Sequence, residues 1–279
     1  MTIPCVVAVS IGNIHREPDP ASELVTQALM NVPAHADTPV GEWTHVTLPD
    51  YEGWIDTAQL ADPIVRGFTK VGEHCATPLD LVVVVTSTHT TLYTAPDSSE
   101  TTGTIYLSTT LPLLDTTQPT RLQVALPTAN TAWVDRAAVS IRHGSEPYPR
   151  MPISAVILYA RAFIDRRYLW GGTSWAGIDC SALVQLCYRM GGYIIPRDAD
   201  QQYYTLTHSI AREEMQEGDL IFFGRNAITH VGLALSNKEY LHAEGQRYNR
   251  VLISSFDPAN AQYDQYLTEL VWDVKRVSP

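Results

Sequence analysis

The sequence predicts a multidomain protein: two small all-β barrels followed by an α+β domain with an antiparallel sheet. Three observations carry that prediction. Turn and tryptophan positions recur through the first half: Pro18-Asp19 precedes Trp54-Ile55-Asp56 by 36 residues, and Pro96-Asp97 precedes Trp133-Val134-Asp135 by 37. Leu48-Pro49 and Leu126-Pro127 repeat ahead of the two tryptophans. Such a repeat over ~60 residues indicates a duplicated small module. The turn formers of GSEPYPR, residues 144–150, then mark a boundary. Beyond it helical periodicity comes first and strand-like runs afterwards, the order expected of segregated helices and an antiparallel sheet. The expected domains are 1–63, 79–143 and 150–279.

In the first module, CVVAVSIG, ELVTQAL, WTHVTL and GWIDTA read as short strands, and WTHVTLPDYEGWI as a hairpin turning at Pro49-Asp50 and Gly53. Residues 81–142 repeat the pattern, and a spacer at 63–80 containing VGEHCATPLD joins the copies. In the third domain, Ile153, Val156, Ile157, Ala160, Phe163 and Ile164 make an amphipathic helix. A second helix begins at Cys180-Ser181, buries Leu183, Val184, Cys187 and Met190, and stops at Gly191-Gly192. Ile195-Pro196-Arg197-Asp198 leads into a third helix through Gln201, Gln202 and Tyr203. DLIFFG, HVGLAL, YLHAEG, RVLISSF and LVWDVKRV read as strands.

Composition narrows the function. Among the 279 residues, 45% are hydrophobic and 18% charged, an ordinary globular balance. No apolar run approaches the ~18 residues of a membrane span. MTIPCVVAVSIGN lacks a basic n-region and reads as a strand rather than a signal peptide, so a cytoplasmic location is expected. The net charge of −11 is concentrated in residues 1–149, which carry 6 Lys/Arg against 16 Asp/Glu. That balance argues against nucleic acid or an anionic membrane as partner and favours a ligand with a cationic group. The cysteines Cys5, Cys75, Cys180 and Cys187 show no CxxC pattern. Cys180 and Cys187 stand about two helical turns apart, roughly 10 Å, too far to bridge. A reducing compartment fits this usage.

Cys180 opens a helix, where partial positive charge and free N–H groups favour a thiolate. A cysteine nucleophile needs an imidazole base and a group that fixes the ring's tautomer. His230 and His242 fall on consecutive expected strands, where opposed side chains stand ~5 Å apart at Cβ and the rings can bond. A zinc site made from the same three residues has no fourth ligand and no HExxH pattern to support it.

YLWGG, DCSALVQ, PRDADQQ, GDLIFF, THVGLAL and LHAEG, in that order through residues 150–279, closely resemble the NlpC family of bacterial cell-wall cysteine peptidases. The first module, with REP, SELV, GEW and YEGWI, resembles a bacterial Src-homology-3 barrel. The second resembles a degenerate copy that lacks the glycine before its tryptophan. The resemblance implies a papain-like α+β peptidase domain behind two such barrels. It points to the subgroup that cleaves γ-D-glutamyl–diamino acid bonds in peptidoglycan stem peptides. Carried over, it makes Cys180 the nucleophile, His230 the base and His242 its orienter. The Tyr168 hydroxyl and the Cys180 N–H would hold the oxyanion, and neither metal nor organic cofactor would be needed. It further implies recognition of a free L-Ala amine by Asp179 and Ser181 with Glu17 and Tyr51 of the first barrel. Arg197 would bind a substrate carboxylate or pair with a neighbouring aspartate. The expected protein is a monomeric endopeptidase that recycles free muropeptides. An exported hydrolase of intact wall and a non-catalytic muropeptide-binding protein are the alternatives.

Overall fold

The computed structural model describes residues 2–64 and 80–277, so most of the expected spacer, with Cys75, lies outside the described residues. The chain divides into two compact units, residues 1–147 and 148–279.

The first unit holds two seven-stranded antiparallel sheets. One is built from β1 (Ile3–Val7), β2 (Ile11–His15), β3 (Leu24–Leu29), β4 (Pro33–Ala36), β5 (Trp43–Thr47), β6 (Glu52–Asp56) and β7 (Leu60–Ala61). The other comprises β8 (Leu81–Val85), β9 (His89–Tyr93), β10 (Thr101–Tyr106), β11 (Thr110–Asp115), β12 (Arg121–Ala125), β13 (Thr131–Asp135) and β14 (Val139–His143). Their orders are β3-β2-β6-β5-β4-β1-β7 and β10-β9-β13-β12-β11-β8-β14, the same order shifted by seven strands. The cores repeat as well. Val7, Ile14, Val46 and Ile55 are fully buried in the first, and Val85, Leu92, Val124 and Val134 fill the corresponding strand positions of the second. Asn31 of the first sheet donates to the Thr110 carbonyl at 2.9 Å, and Met30 packs into the second core.

The details depart from the sequence pattern in places. CVVAVSIG is two strands separated by a bend, and the Pro-Ala-His-Ala run of β4 gives no β signal. Proline is tolerated there because it opens the strand, where a missing N–H costs least. At the glycine before the first tryptophan, a Cβ on Gly53 would fall 2.7 Å from the Ile14 side chain and 2.8 Å from the His15 carbonyl. The second sheet has Ala132 at that position.

The second unit runs α1 (Ile153–Arg161), the short hairpin β15 (Thr173–Ser174) and β16 (Gly177–Ile178), α2 (Cys180–Met190) and α3 (Ala199–Thr205). It continues through β17 (Ser209–Ile210), β18 (Leu220–Gly224), β19 (Ile228–Ala234), β20 (Glu239–Glu244), β21 (Arg250–Ser255), α4 (Gln265–Thr268) and β22 (Val271–Lys275). The sheet order is β17-β22-β18-β19-β20-β21, antiparallel throughout. Helix α1 ends three residues before its apolar pattern does, and Phe163 is buried from the turn that follows.

Helix α2 is more enclosed than an amphipathic reading predicts. Every residue but Arg189 is buried, because α1 covers one side and β19 and β20 the other. A helix enclosed all round is a central element of the domain. Its N-terminus is thereby fixed against the middle of the sheet.

Candidate active site

The loop before α2 is drawn in by Asp179. This residue is extended at the N-cap, and its Oδ1 accepts from the Ala182 N–H at 2.8 Å, satisfying one of the free donors of the first turn. Its Oδ2 accepts from the Gly171 N–H at 3.0 Å. Gly171 lies at φ 72°, a left-handed conformation that glycine adopts without strain, and this turns the Tyr-Leu-Trp-Gly-Gly loop back onto the helix start. The Arg197 guanidinium grips both oxygens of Asp179, at 3.1 and 2.6 Å, and donates to Ser181 Oγ at 2.9 Å. Ser181 Oγ in turn donates to Asp179 Oδ1 at 3.2 Å.

Of the two expectations for Arg197, the structure carries the ion pair: the residue is 1% exposed and bonds Asp179, eighteen residues back, with the adjacent Asp198 charge also acting on it. A guanidinium held in that fork has no open face for a substrate carboxylate. Asp179 and Ser181 flank Cys180, yet both are buried, and the Asp179 charge is already matched by Arg197.

Cys180 is the first residue of α2 and is 7% exposed. The backbone N–H groups of Val231 and Ser181 bond to its sulfur, so the thiol rests against β19 beside His230. Burial first, and then the Asp179 charge, push the thiol up to about 12 against those N–H groups and Arg197. The helix end alone suggests a thiolate. Here the desolvation of a buried sulfur wins, and the resting group is a thiol.

His230 Nε2 lies 2.9 Å from His242 Nδ1, with ring centroids 5.1 Å apart and planes at 76°. The geometry differs from the expected directly opposed pair. The ladder between β19 and β20 pairs Leu233 with Leu241 and Ala234 with Tyr240, a register that sets His242 opposite Gly232. The rings therefore meet along a diagonal. A Cβ on Gly232 would lie 3.1 Å from the Tyr240 side chain and 3.7 Å from His242 Cβ, so the absent side chain leaves that diagonal open.

Burial lowers both imidazoles. His230 falls to about 4 despite the Glu244, Asp264 and Asp179 charges. His242, fully buried, is held well below its ordinary value by burial, by His230 and by Arg247. His242 Nε2 stands 3.0 Å from Ser254 Oγ on β21.

Tyr168 is half-buried, and its N–H donates to the Asn249 carbonyl at 2.9 Å. Burial raises its phenol pKa first, with the charges of Cys180, Asp179 and Glu244 adding to the rise, so it stays a protonated donor near the thiol. A Cβ on Gly245 would sit 2.6 Å from the Tyr168 ring, so the ring's seat depends on that glycine. Glu244 secures the adjoining loop by accepting from the N–H groups of Gln246, Arg247 and Tyr248 at 2.7–2.9 Å.

Glu17 and Tyr51 belong to the first unit. Glu17 is exposed, and Tyr51 packs partly on the first core. Among the described residues no cluster of histidine, cysteine and carboxylate side chains is arranged to hold a metal ion. No helix there is long and apolar enough to cross a membrane.

Sequence reasoning missed Gly245 and Ser254 as parts of this site, while Gly232 is legible in the sequence only as a small residue on the His230 face of its strand. Both glycines lie inside quoted motifs, THVGLAL and LHAEG, and could have been singled out as close-approach positions. Ser254 carries no comparable signal.

The sequence model of the NlpC/P60 family matches residues 165–273, and that of the bacterial dipeptidyl-peptidase Sh3 domain matches residues 14–60. The chain is 27% identical over 236 residues to the gamma-D-glutamyl-L-lysine dipeptidyl-peptidase of Bacillus cereus, covering 80% of this chain and 68% of that protein. It is 28% identical over 276 residues to dipeptidyl-peptidase 6 of Lysinibacillus sphaericus, covering 95% and 96% of the two. A crystal structure of an NlpC/P60 family protein from Bacillus cereus shares the fold, with a TM-score of 0.83 over 99% of this chain and 100% of that one at 22% identity. With a cysteine at the helix end and paired imidazoles on the sheet beneath it, residues 165–273 form an NlpC/P60 cysteine peptidase domain, and a bacterial Sh3 domain lies ahead of it in the chain.

Proposed function

We propose that this protein is a cell-wall endopeptidase that hydrolyses the γ-D-glutamyl–L-diamino acid amide of peptidoglycan stem peptides. It takes free muropeptides with an N-terminal L-Ala, for murein recycling in the cytoplasm. The observation that carries the reading is the likeness, running through both units, to a protein named gamma-D-glutamyl-L-lysine dipeptidyl-peptidase. The site supplies the chemistry.

Cys180 Sγ attacks the amide carbonyl while its proton passes to the free Nδ1 of His230. Thiol and imidazole both rest neutral, so this transfer accompanies attack rather than preceding it. The Tyr168 hydroxyl and the Cys180 N–H donate to the oxyanion. His230, now an imidazolium steadied by His242, returns the proton to the leaving α-amine of the diamino acid. Water then attacks the thioester with His230 as base and releases the dipeptide. The second sheet, with its repeated strand order, is a degenerate Src-homology-3 module in this reading. Glu17 and Tyr51 of the first recognise the substrate's ammonium in this reading, a charge that is costly to bury unpaired.

Incubation with L-Ala-γ-D-Glu-L-Lys and with its diaminopimelate counterpart tests this. The protein should release L-Ala-D-Glu, and Cys180→Ala should release none. Undiminished release by that variant would overturn the reading. N-acetylation of the peptide should abolish cleavage, and Glu17→Gln should raise KM. Equal turnover of capped and free peptides would remove the amine-recognition element.

A further inference from the structure

A histidine in the orienting position introduces an ambiguity that a carboxylate would not. Both facing atoms, His230 Nε2 and His242 Nδ1, can hold the one hydrogen between them. If it sits on His230, the other ring nitrogen, Nδ1, carries a free lone pair and can take the thiol proton. If it sits on His242 Nδ1, then neutral His230 already carries its hydrogen on Nδ1 and is no base. The protein needs a device that selects the first arrangement, and the far nitrogen of His242 is where one can act.

We propose that Ser254 is the positioning residue that fixes the tautomer of His242. Its Oγ stands 3.0 Å from His242 Nε2, and both residues are buried, Ser254 at 2% exposure and His242 at 0%. Ser254 accepts from Nε2–H, which leaves His242 Nδ1 a lone pair for the His230 hydrogen. The arrangement requires the serine to turn its own hydrogen elsewhere. Tyr240 lies directly across β20 and β21 from Ser254, and its buried phenol oxygen has no hydrogen-bond partner among the described residues, which leaves it an open acceptor beside the serine. In this proposal Ser254 turns its hydrogen to that oxygen, which prevents it from donating to His242 Nε2 and reversing the tautomer. During attack the balance is simple. One proton moves from Cys180 Sγ to His230 Nδ1, and the hydrogens on His230 Nε2, His242 Nε2 and Ser254 Oγ stay where they are. No buried donor is left facing another donor.

The inference rests on the catalytic reading of Cys180, His230 and His242, and the test separates the two. Two-bond proton–nitrogen NMR of the histidine rings reports which nitrogen is protonated. In the wild-type protein His242 should be protonated at Nε2 and bare at Nδ1. Ser254→Ala should give a mixture of tautomers and a kcat lowered about tenfold at unchanged KM, the scale of one lost buried hydrogen bond. Ser254→Thr, which keeps the hydroxyl, should restore both the single tautomer and the rate. A wild-type His242 protonated at Nδ1 would overturn the inference, whether or not the variants fold. So would a Ser254→Ala protein with the wild-type tautomer and kcat. If Cys180→Ala also keeps wild-type turnover, the catalytic reading itself has failed. If it is inactive, only the role of Ser254 has.

Discussion

Two buried polar networks begin on adjacent residues at the start of α2, and they are built on opposite principles. Asp179 leads into a charged network: an arginine fork, a serine and two backbone N–H groups converge on one carboxylate. Cys180 leads into a neutral one, a thiol, two imidazoles lowered by burial and a serine hydroxyl. The charged network holds the helix end by matching a full negative with a full positive, so it cannot change protonation without great cost. The neutral one is held by hydrogen bonds that either partner can donate, so it can move a proton. In the proposed mechanism their adjacency gives Cys180 a fixed position and a base that responds.

The largest expected effect comes from unbalancing the charged network. Arg197→Met leaves the Asp179 carboxylate buried and unpaired, which should cost about 3–5 kcal/mol of stability in the second unit. Calorimetry of its thermal transition measures this. The paired change Asp179→Asn with Arg197→Met should recover more than half of the loss, because no buried charge remains. A single variant with an unshifted transition would mean that the pair is not what holds the helix end.

Next comes the oxyanion. Tyr168→Phe keeps the ring and removes its donor, so kcat should fall about a hundredfold with KM little changed, the scale of one oxyanion-hole donor. Gly245→Ala should lower kcat in the same direction by displacing the ring, since its new Cβ would overlap Tyr168. A Tyr168→Phe enzyme with wild-type kcat would remove the phenol from the mechanism.

The neutral network has a signature in pH that the charged one lacks. Unfolded histidines titrate near 6.5, whereas folded His230 does so at about 4 and His242 is likewise depressed. Between those values the unfolded chain binds more protons than the folded one. Stability is therefore fully present above about pH 6.5 and is lost as pH falls towards 4, by up to about 1.4 kcal/mol per pH unit for each histidine. Calorimetric midpoints between pH 7 and 4 should show the slope, and a variant carrying His230→Gln and His242→Gln should flatten it. Activity should share the acid limit, because protonated His230 cannot accept the thiol proton. A wild-type midpoint that rises on acidification would contradict the assigned burial of the pair.

How much of this was legible in the sequence follows from the range of each interaction. The repeated turn and tryptophan positions reflect local backbone demands, and they foreshadow the matching strand orders of the two sheets. The helix starting at Cys180 and the strands bearing His230 and His242 were readable from periodicity. The thiol's protonation was not, because a helix end acts locally while desolvation depends on everything packed above the sulfur. The Arg197–Asp179 pair spans eighteen residues and a helix, so sequence proximity alone did not single out Asp179. Ser254 reaches His242 across a strand register that no single-strand pattern specifies.

The smallest effect tests the diagonal that brings the imidazoles together. A Cβ added at Gly232 would meet the Tyr240 side chain at 3.1 Å and Phe223 at 3.5 Å, contacts tight enough to require a shift of a few tenths of an ångström. Tyr240 also packs against His242, with ring centroids 5.1 Å apart, so a shift of its ring is passed to the orienting imidazole. Gly232→Ala should therefore lower kcat a few-fold, about 1 kcal/mol or less, while the midpoint of the second unit barely moves. Gly232→Val, with two more carbons on the same line, should lower kcat further and loosen the His230–His242 bond seen in the ring-nitrogen shifts. If both variants turn over like the wild type, the open diagonal is incidental and the histidines are held in place by their own strands alone.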